Sequence, residues 1–305
     1  MELITIIGSG RIGSTVATQI VAEGLDDVTL IDIIEGLPKG EALDIGQFSA
    51  ARGTDVKVKG SNDYKDMAGS DIVIVSAGFP RKPGMTRMDL LNKNTEIIKQ
   101  VSKEIAKYAP NSLVLMITNP LDVMTYVALK VTGFPTNRVF GMGGVLDSSR
   151  FRSILAEMLN IAPSSIQALV IGEHGESMLP LARYTSVCGI PILEILDEGK
   201  VKEAIERTRK IAAEVIALKG ATVYAPAQSV VRMVDAILND RKSVYPVSTY
   251  LNGQYGVNGI CIGVPVVLGK DGVERIIELK LNDEERSIFM KGVETIKAAI
   301  SSIGL

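Results

Sequence analysis

The stretch IGEHGESMLP, residues 171 to 180, carries the only histidine among 305 residues. Imidazole is the one side chain whose unperturbed pKa lies near neutrality, so His174 is a candidate acid–base group. Taken alone, this stretch favours an ordinary hydrogen-bonded histidine. Three other stretches carry groups that could share its chemistry. SAGFPRKPGMTRMDLLNKN, residues 76 to 94, sets Arg81, Lys82 and Arg87 among Gly78, Pro80, Pro83 and Gly84. Such a loop can hinge, and its arginines can close on an anion, although a solvated basic loop fits the composition equally well. ITNPLDV puts Asn119 at the end of an apolar run, the end at which open α/β sheets bind ligands. GMGGVLDSSRFRSIL sets Asp147 and Arg150 three positions apart at a helix start, where local N-capping is the plain role for the aspartate.

A different chemistry is written in GSGRIGSTVATQI, with Gly8, Gly10 and Gly13 between a first apolar run and an amphipathic stretch. A lone GxGxxG is weak evidence, but here its context is complete. Gly8 permits a tight turn, Gly10 lets a pyrophosphate approach the backbone, Gly13 allows close helix–strand packing, and the helix N-terminus offers donors to the anion. Asp32 follows Gly13 by nineteen positions (32 − 13), at the end of the second apolar run. A carboxylate there can accept hydrogen bonds from the adenine ribose hydroxyls and repels a 2′-phosphate, which favours NAD over NADP. No Lys-Ser/Thr follows the glycines, so a P-loop is excluded.

These groups require a scaffold. LITIIG, VTLIDI, DIVIVSAG and SLVLMITNP read as strands separated by helix-like segments. The uninterrupted Ile72, Val73, Ile74 and Val75 suit a strand covered on both faces, as in a doubly wound parallel sheet. After about residue 145 two helical stretches follow, then a hairpin region with Asn252-Gly253 and Asp271-Gly272 as turn signals. A final helix opens on Asn282 and Glu285 at capping-box spacing and lines up Ile288, Val293, Ile296 and Ile300. The expected division is a dinucleotide-binding domain over residues 1–144 and a mixed α+β domain over 145–305.

With 33 basic and 35 acidic residues the formal charge is −2, which argues against non-specific binding to nucleic acid or anionic lipid. No apolar run approaches the length of a membrane span, and no signal-like n-region precedes the glycine motif, so a cytoplasmic protein is expected. Cys188 and Cys261 form no CxxC and sit in apolar surroundings; both are expected to be buried thiols, and no metal site is expected.

The blocks GSGRIG, Asp32, SAGFPRKPGMTR, TNP, LDSSRFR and GEHGES, in this order along the chain, resemble the lactate/malate dehydrogenase family over essentially its whole length. The resemblance implies a Rossmann doubly wound sheet followed by a substrate domain, and reversible hydride transfer between NAD and a 2-hydroxy acid. It implies His174 as proton acceptor, Asp147 as its partner, Arg150 as anchor for the substrate carboxylate, Arg87 as the group that polarises the carbonyl, and Asn119 as a donor to the substrate. For the cofactor it implies Gly8, Ser9, Gly10, Arg11, Ile12, Gly13, Asp32, Ala77, Gly78, Asn94, Ile117, Thr118 and Asn119. In this company His174 ceases to be a lone histidine and becomes an acid–base centre.

Substrate choice rests on Arg81. Lactate enzymes of the family usually carry glutamine at the matching position, whereas arginine meets the second carboxylate of malate or oxaloacetate. Thr222 matches a pocket position where threonine is common among lactate enzymes, so the pattern is not uniform. An unpaired arginine beside a methyl group would be costly, which keeps malate ahead. Lactate or another 2-hydroxy acid is the alternative substrate, and a non-catalytic NAD-binding protein the alternative class. The resemblance further implies a homotetramer or dimer and a place in the tricarboxylic acid cycle.

Overall fold

The computed structural model describes residues 3–79 and 86–304. The first strand, β1 (Leu3–Ile7), leads through Gly8 into α1 (Arg11–Glu23), and the alternation continues with β2 (Asp27–Ile31), α2 (Leu37–Arg52), β3 (Val58–Ser61), β4 (Ile72–Val75), α3 (Arg87–Tyr108), β5 (Leu113–Met116), α4 (Leu121–Thr132) and β6 (Val139–Gly141). These six strands are parallel and lie in the order β3-β2-β1-β4-β5-β6. The order reverses between β1 and β4, which opens a crevice at their carboxyl ends. Ile72 to Val75 are all buried, as their unbroken apolar run requires. The strands β3 and β6 lack such runs; only the sheet reveals them.

Helix α5 (Gly144–Leu159) opens the second half. Short strands follow: β7 (Ile166–Gln167), β8 (Val170–Ile171), β9 (Leu179–Pro180), β10 (Ser186–Val187) and β11 (Ile190–Pro191). Then come α6 (Ile192–Ile195), α7 (Glu198–Lys219) and α8 (Tyr224–Leu238). The long hairpin β12 (Ser243–Asn252) and β13 (Asn258–Gly269), with β14 (Gly272–Ile276), continues the main sheet antiparallel beyond β6. Both turn signals fall where expected, between β12 and β13 and between β13 and β14. Helix α9 (Asp283–Ser302) begins with the Asn282–Glu285 capping box in both directions and buries Val293, Ile296 and Ile300. No helix among the described residues is long and apolar enough to cross a membrane.

The expectation that both thiols are buried is corrected at one position. Cys261 is enclosed on β13, but Cys188 is exposed. It occupies the tip between β10 and β11 at φ 48°, beside Gly189 at φ 88°, so the tight reversal carries its side chain out of the apolar context of its neighbours.

Candidate active site

The glycine loop is built as the spacing requires. Gly8 has φ 102°, and a Cβ on it would stand 2.6 Å from the Ala77 nitrogen. On Gly13 a Cβ would lie 1.8 Å from the Gly8 carbonyl oxygen, whereas on Gly10 it would meet nothing within 4 Å. Two glycines therefore serve chain packing, and the third leaves an open face. Gly10 is also the N-cap of α1 and offers no side chain to the first-turn N–H groups. The Ser9 hydroxyl is buried without a partner among the described residues. Asp32, just past β2, accepts the Ser9 N–H at 2.7 Å and the Ile34 N–H at 3.0 Å, which aims its carboxylate along the loop. A cavity of about 800 Å³ runs past Gly8, Gly10, Asp32, Ile33, Ala77 and Gly78. An open loop, an uncapped helix start and a fixed carboxylate on one cavity fit a dinucleotide.

At the far end of that crevice the strand ends of β4 and β5 are held together by polar side chains. Asn94 on α3 accepts the Phe79 N–H and donates to the Asn119 carbonyl, both at 2.6 Å. Thr118 donates to the Ala77 carbonyl at 2.6 Å. Asn94, Ile117 and Thr118 are buried and Asn119 is exposed. Ala77 and Gly78 line the cavity, Arg11 and Ile12 start α1, and Asn119 precedes a cis peptide bond to Pro120.

His174 lies on the turn between β8 and β9. The base of that turn is fastened to β13 by reciprocal backbone bonds between Gly172 and Gly263, of 2.8 and 3.1 Å. The His174 Nδ1 meets Asp147 Oδ2 at 2.6 Å, while Arg150 Nη1 donates to Asp147 Oδ1 at 3.1 Å. Asp147 is not an N-cap. Gly143 holds that position, and Asp147, one turn in, is 1 % exposed and aimed at the histidine. Burial alone would lower the His174 pKa; the charge and hydrogen bond of Asp147 reverse this and hold it above the ordinary 6.5, against a smaller opposing effect of Arg150. With Nδ1 committed, Nε2 is the nitrogen left to exchange a proton with a ligand.

This arrangement joins an acid–base dyad and a cation to a dinucleotide crevice, and the comparisons agree with it. Residues 3–141 match the lactate/malate dehydrogenase NAD-binding domain, and residues 144–304 match the lactate/malate dehydrogenase alpha/beta C-terminal domain. The chain belongs to the lactate/malate dehydrogenase family. It is 48% identical over 307 residues to a malate dehydrogenase of Methanosarcina acetivorans, covering 100% of both chains. A solved malate dehydrogenase of Cryptosporidium parvum is 44% identical with a TM-score of 0.96, covering 99% of this chain and 98% of that one. A lactate dehydrogenase of the same organism, solved with lactic acid and NAD, is 41% identical with a TM-score of 0.95, at coverages of 99% and 98%. Both members of the family's name are thus among its structural neighbours.

Of the remaining residues that the family resemblance nominates, Arg81 lies outside the described residues, with Lys82 and the rest of 80–85. Arg87 begins α3 behind the Thr86–Asp89 capping box, and its side chain also lies outside them. Thr222 sits half-buried between α7 and α8 and makes no hydrogen bond to His174, Asp147 or Arg150. Reasoning from sequence passed over Asp122 and Ser248. Asp122 Oδ2 accepts the His174 N–H at 2.7 Å, and Ser248 donates to Asp122 Oδ1 at 2.6 Å. Asp122 stands in the quoted ITNPLDV, but an acid in a first helical turn ordinarily signals only the helix dipole, and Ser248 carries no local signal at all.

Proposed function

We propose that the protein is an NAD-dependent malate dehydrogenase that interconverts malate and oxaloacetate. The observation that carries the reading is Asp147, whose two oxygens hold the His174 ring and the Arg150 guanidinium at once. When bound, NAD would supply the acceptor for the hydride that leaves C2 of the hydroxy acid; Gly10, Asp32, Asn94 and the strand ends of β4 and β5 are the residues that would hold it. His174 Nε2 takes the hydroxyl proton as the hydride leaves, and Asp147 stabilises the resulting imidazolium. Arg150 grips the C1 carboxylate with the guanidinium edge not engaged by Asp147, which orients C2. In the reverse direction Arg87 stabilises charge developing on the carbonyl oxygen, and Asn119 adds a neutral donor. Arg81 reads the C4 carboxylate, and Thr222 lines the pocket. The curated malate dehydrogenases at 46–48% identity support this substrate.

The same reading keeps residues 1–144 as the cofactor domain and 145–305 as the substrate domain. A homo-oligomer, tetramer or dimer, is supported by large apolar side chains left exposed on α2 and on α7 and α8, among them Leu43, Phe48, Ile216, Leu218 and Tyr224. The reading also keeps the expectations of a cytoplasmic location and of a place in the tricarboxylic acid cycle, the latter supported by the malate–oxaloacetate pair. The deciding experiment is an assay of oxaloacetate and pyruvate, each with NADH and NADPH. Oxaloacetate with NADH should be the preferred pair, and His174→Asn should retain NADH binding while losing roughly 10²–10⁴-fold in turnover. Preference for pyruvate would make it a lactate dehydrogenase, and absence of turnover a nucleotide-binding module.

A further inference from the structure

Asp122 is 3 % exposed, and among the described residues no lysine or arginine pairs with it. Its two bonds come from the His174 main chain and the Ser248 hydroxyl, and they tie the first turn of α4 to the β8–β9 turn and to β12. A neutral amide could accept the same N–H, so geometry alone does not call for a carboxylate here. Buried carboxylates are ordinarily paired with a cation. Among the described residues, the group beside Asp122 able to become a cation is His174, and it does so when it takes the proton from substrate.

We infer that Asp122, together with Ser248, is a positioning residue for His174, fixing its main chain and stabilising its cationic form as a second carboxylate besides Asp147. This rests on the dehydrogenase reading above. Burial pushes the Asp122 carboxyl up to about 6, against the pull of the Ser248 and His174 hydrogen bonds. Its charge in turn favours protonated His174. Among the described residues, the other titratable groups around it are Glu173, a like charge, and the Cys261 thiol of β13. Beyond His174 stand Asp147 and Arg150 of α5. Among the described residues, α3 and α9 turn uncharged side chains, Met88, Leu91, Thr295 and Ile296, into the adjoining cavity of about 310 Å³.

A chain with one histidine permits a direct test, because the imidazole resonance of the full-length protein needs no assignment. The titration of His174 is followed by NMR in the wild type and in Asp122→Asn, which retains an acceptor for the His174 N–H but not the charge. The midpoint should fall by about half a pH unit or more, and the pH limb of oxaloacetate reduction should move with it while NADH affinity stays. Ser248→Ala, which leaves Asp122 easier to protonate, should shift the midpoint less and in the same direction; Asp122→Glu should restore most of it. An unmoved midpoint in Asp122→Asn, or in Ser248→Ala if the first variant does not fold, overturns the inference. A lowered midpoint in a protein that does not reduce oxaloacetate would sustain the Asp122–His174 coupling and sink the enzyme reading; activity with an unmoved midpoint would do the reverse.

Discussion

The Nδ1 of His174 stands 2.6 Å from Oδ2 of Asp147, and the other oxygen of the same carboxylate is engaged by Arg150 at 3.1 Å. One buried aspartate therefore sets the tautomer of His174 and the place of the Arg150 guanidinium. Because it is 1 % exposed, its influence on both is little weakened by solvent.

Replacement of Asp147 by Asn should move the pH dependence in a defined sense. The His174 pKa is raised above 6.5. Malate oxidation needs the neutral ring and should rise with pH through that value; oxaloacetate reduction needs the cation and should fall through it. Asp147→Asn removes the raising charge and leaves the desolvation, so both limbs should shift to lower pH, with turnover down by about tenfold or more from the weakened orientation of the ring. The sign for stability follows as well. The pairing stabilises the fold below pH 6.5 and ceases to do so as pH rises through the raised pKa, so the variant should lose more Tm at pH 5.5 than at pH 9. Limbs that stay in place would detach Asp147 from the base.

Gly13→Ala and Gly10→Ala should part company. The added methyl at Gly13 meets the Gly8 carbonyl at 1.8 Å, so the loop must shift, at a cost of about 1–3 kcal/mol seen as a lower Tm. At Gly10 it meets nothing within 4 Å, so Tm should hold while NADH binding weakens. Thermal melts beside a fluorescence titration of NADH check both, and equal effects on Tm would refute the distinction between packing and ligand glycines.

Asp32 is held by the Ser9 and Ile34 N–H groups, so its charge is fixed beside the loop. NADH should be preferred to NADPH, and Asp32→Ser should narrow the gap by removing the repulsion of a 2′-phosphate. Comparison of kcat/KM for the two cofactors measures it. Equal use of both by the wild type would remove the role given to Asp32.

Arg81→Gln tests the substrate assignment. Loss of one partner of a desolvated charge pair costs about 2–5 kcal/mol, roughly 30- to 5,000-fold, so kcat/KM for oxaloacetate should fall within that range. Pyruvate should gain, since its methyl group no longer faces an unpaired charge. A loss shared equally by both substrates would assign Arg81 to loop closure and leave the C4 carboxylate without a reader.

Much of this protein is decided locally and can therefore be read from its residues. The glycine spacing, the apolar runs of β1, β4 and β5, the Asn282–Glu285 capping box and the two hairpin turns depend on neighbours a few positions away, and each occurs where the pattern places it. Helices α7 and α8 likewise follow from periodicity. The pairing of sheet strands lacking an apolar run, β3 and β6, was invisible because it is set by partners far along the chain. Cys188 misled for a related reason: apolar neighbours suggested burial, and the turn geometry decided exposure.

The sequence by itself determined which groups can do chemistry: one histidine, a glycine loop ahead of a helix, an aspartate after the second strand, and arginines in two blocks. What the tertiary structure alone decided is who touches whom. Asp147 and Asp122 are both acids in first helical turns, where either would ordinarily complement a helix dipole; folding instead carries His174, 27 and 52 positions away, between them, one carboxylate at its ring and the other at its main chain. Ser248, 126 positions from Asp122, completes the set from a strand of the other half. Contacts over such separations leave no periodicity and no local motif, because they arise from the packing of α4, α5 and β12 around one turn, and only the assembled sheet brings those elements together.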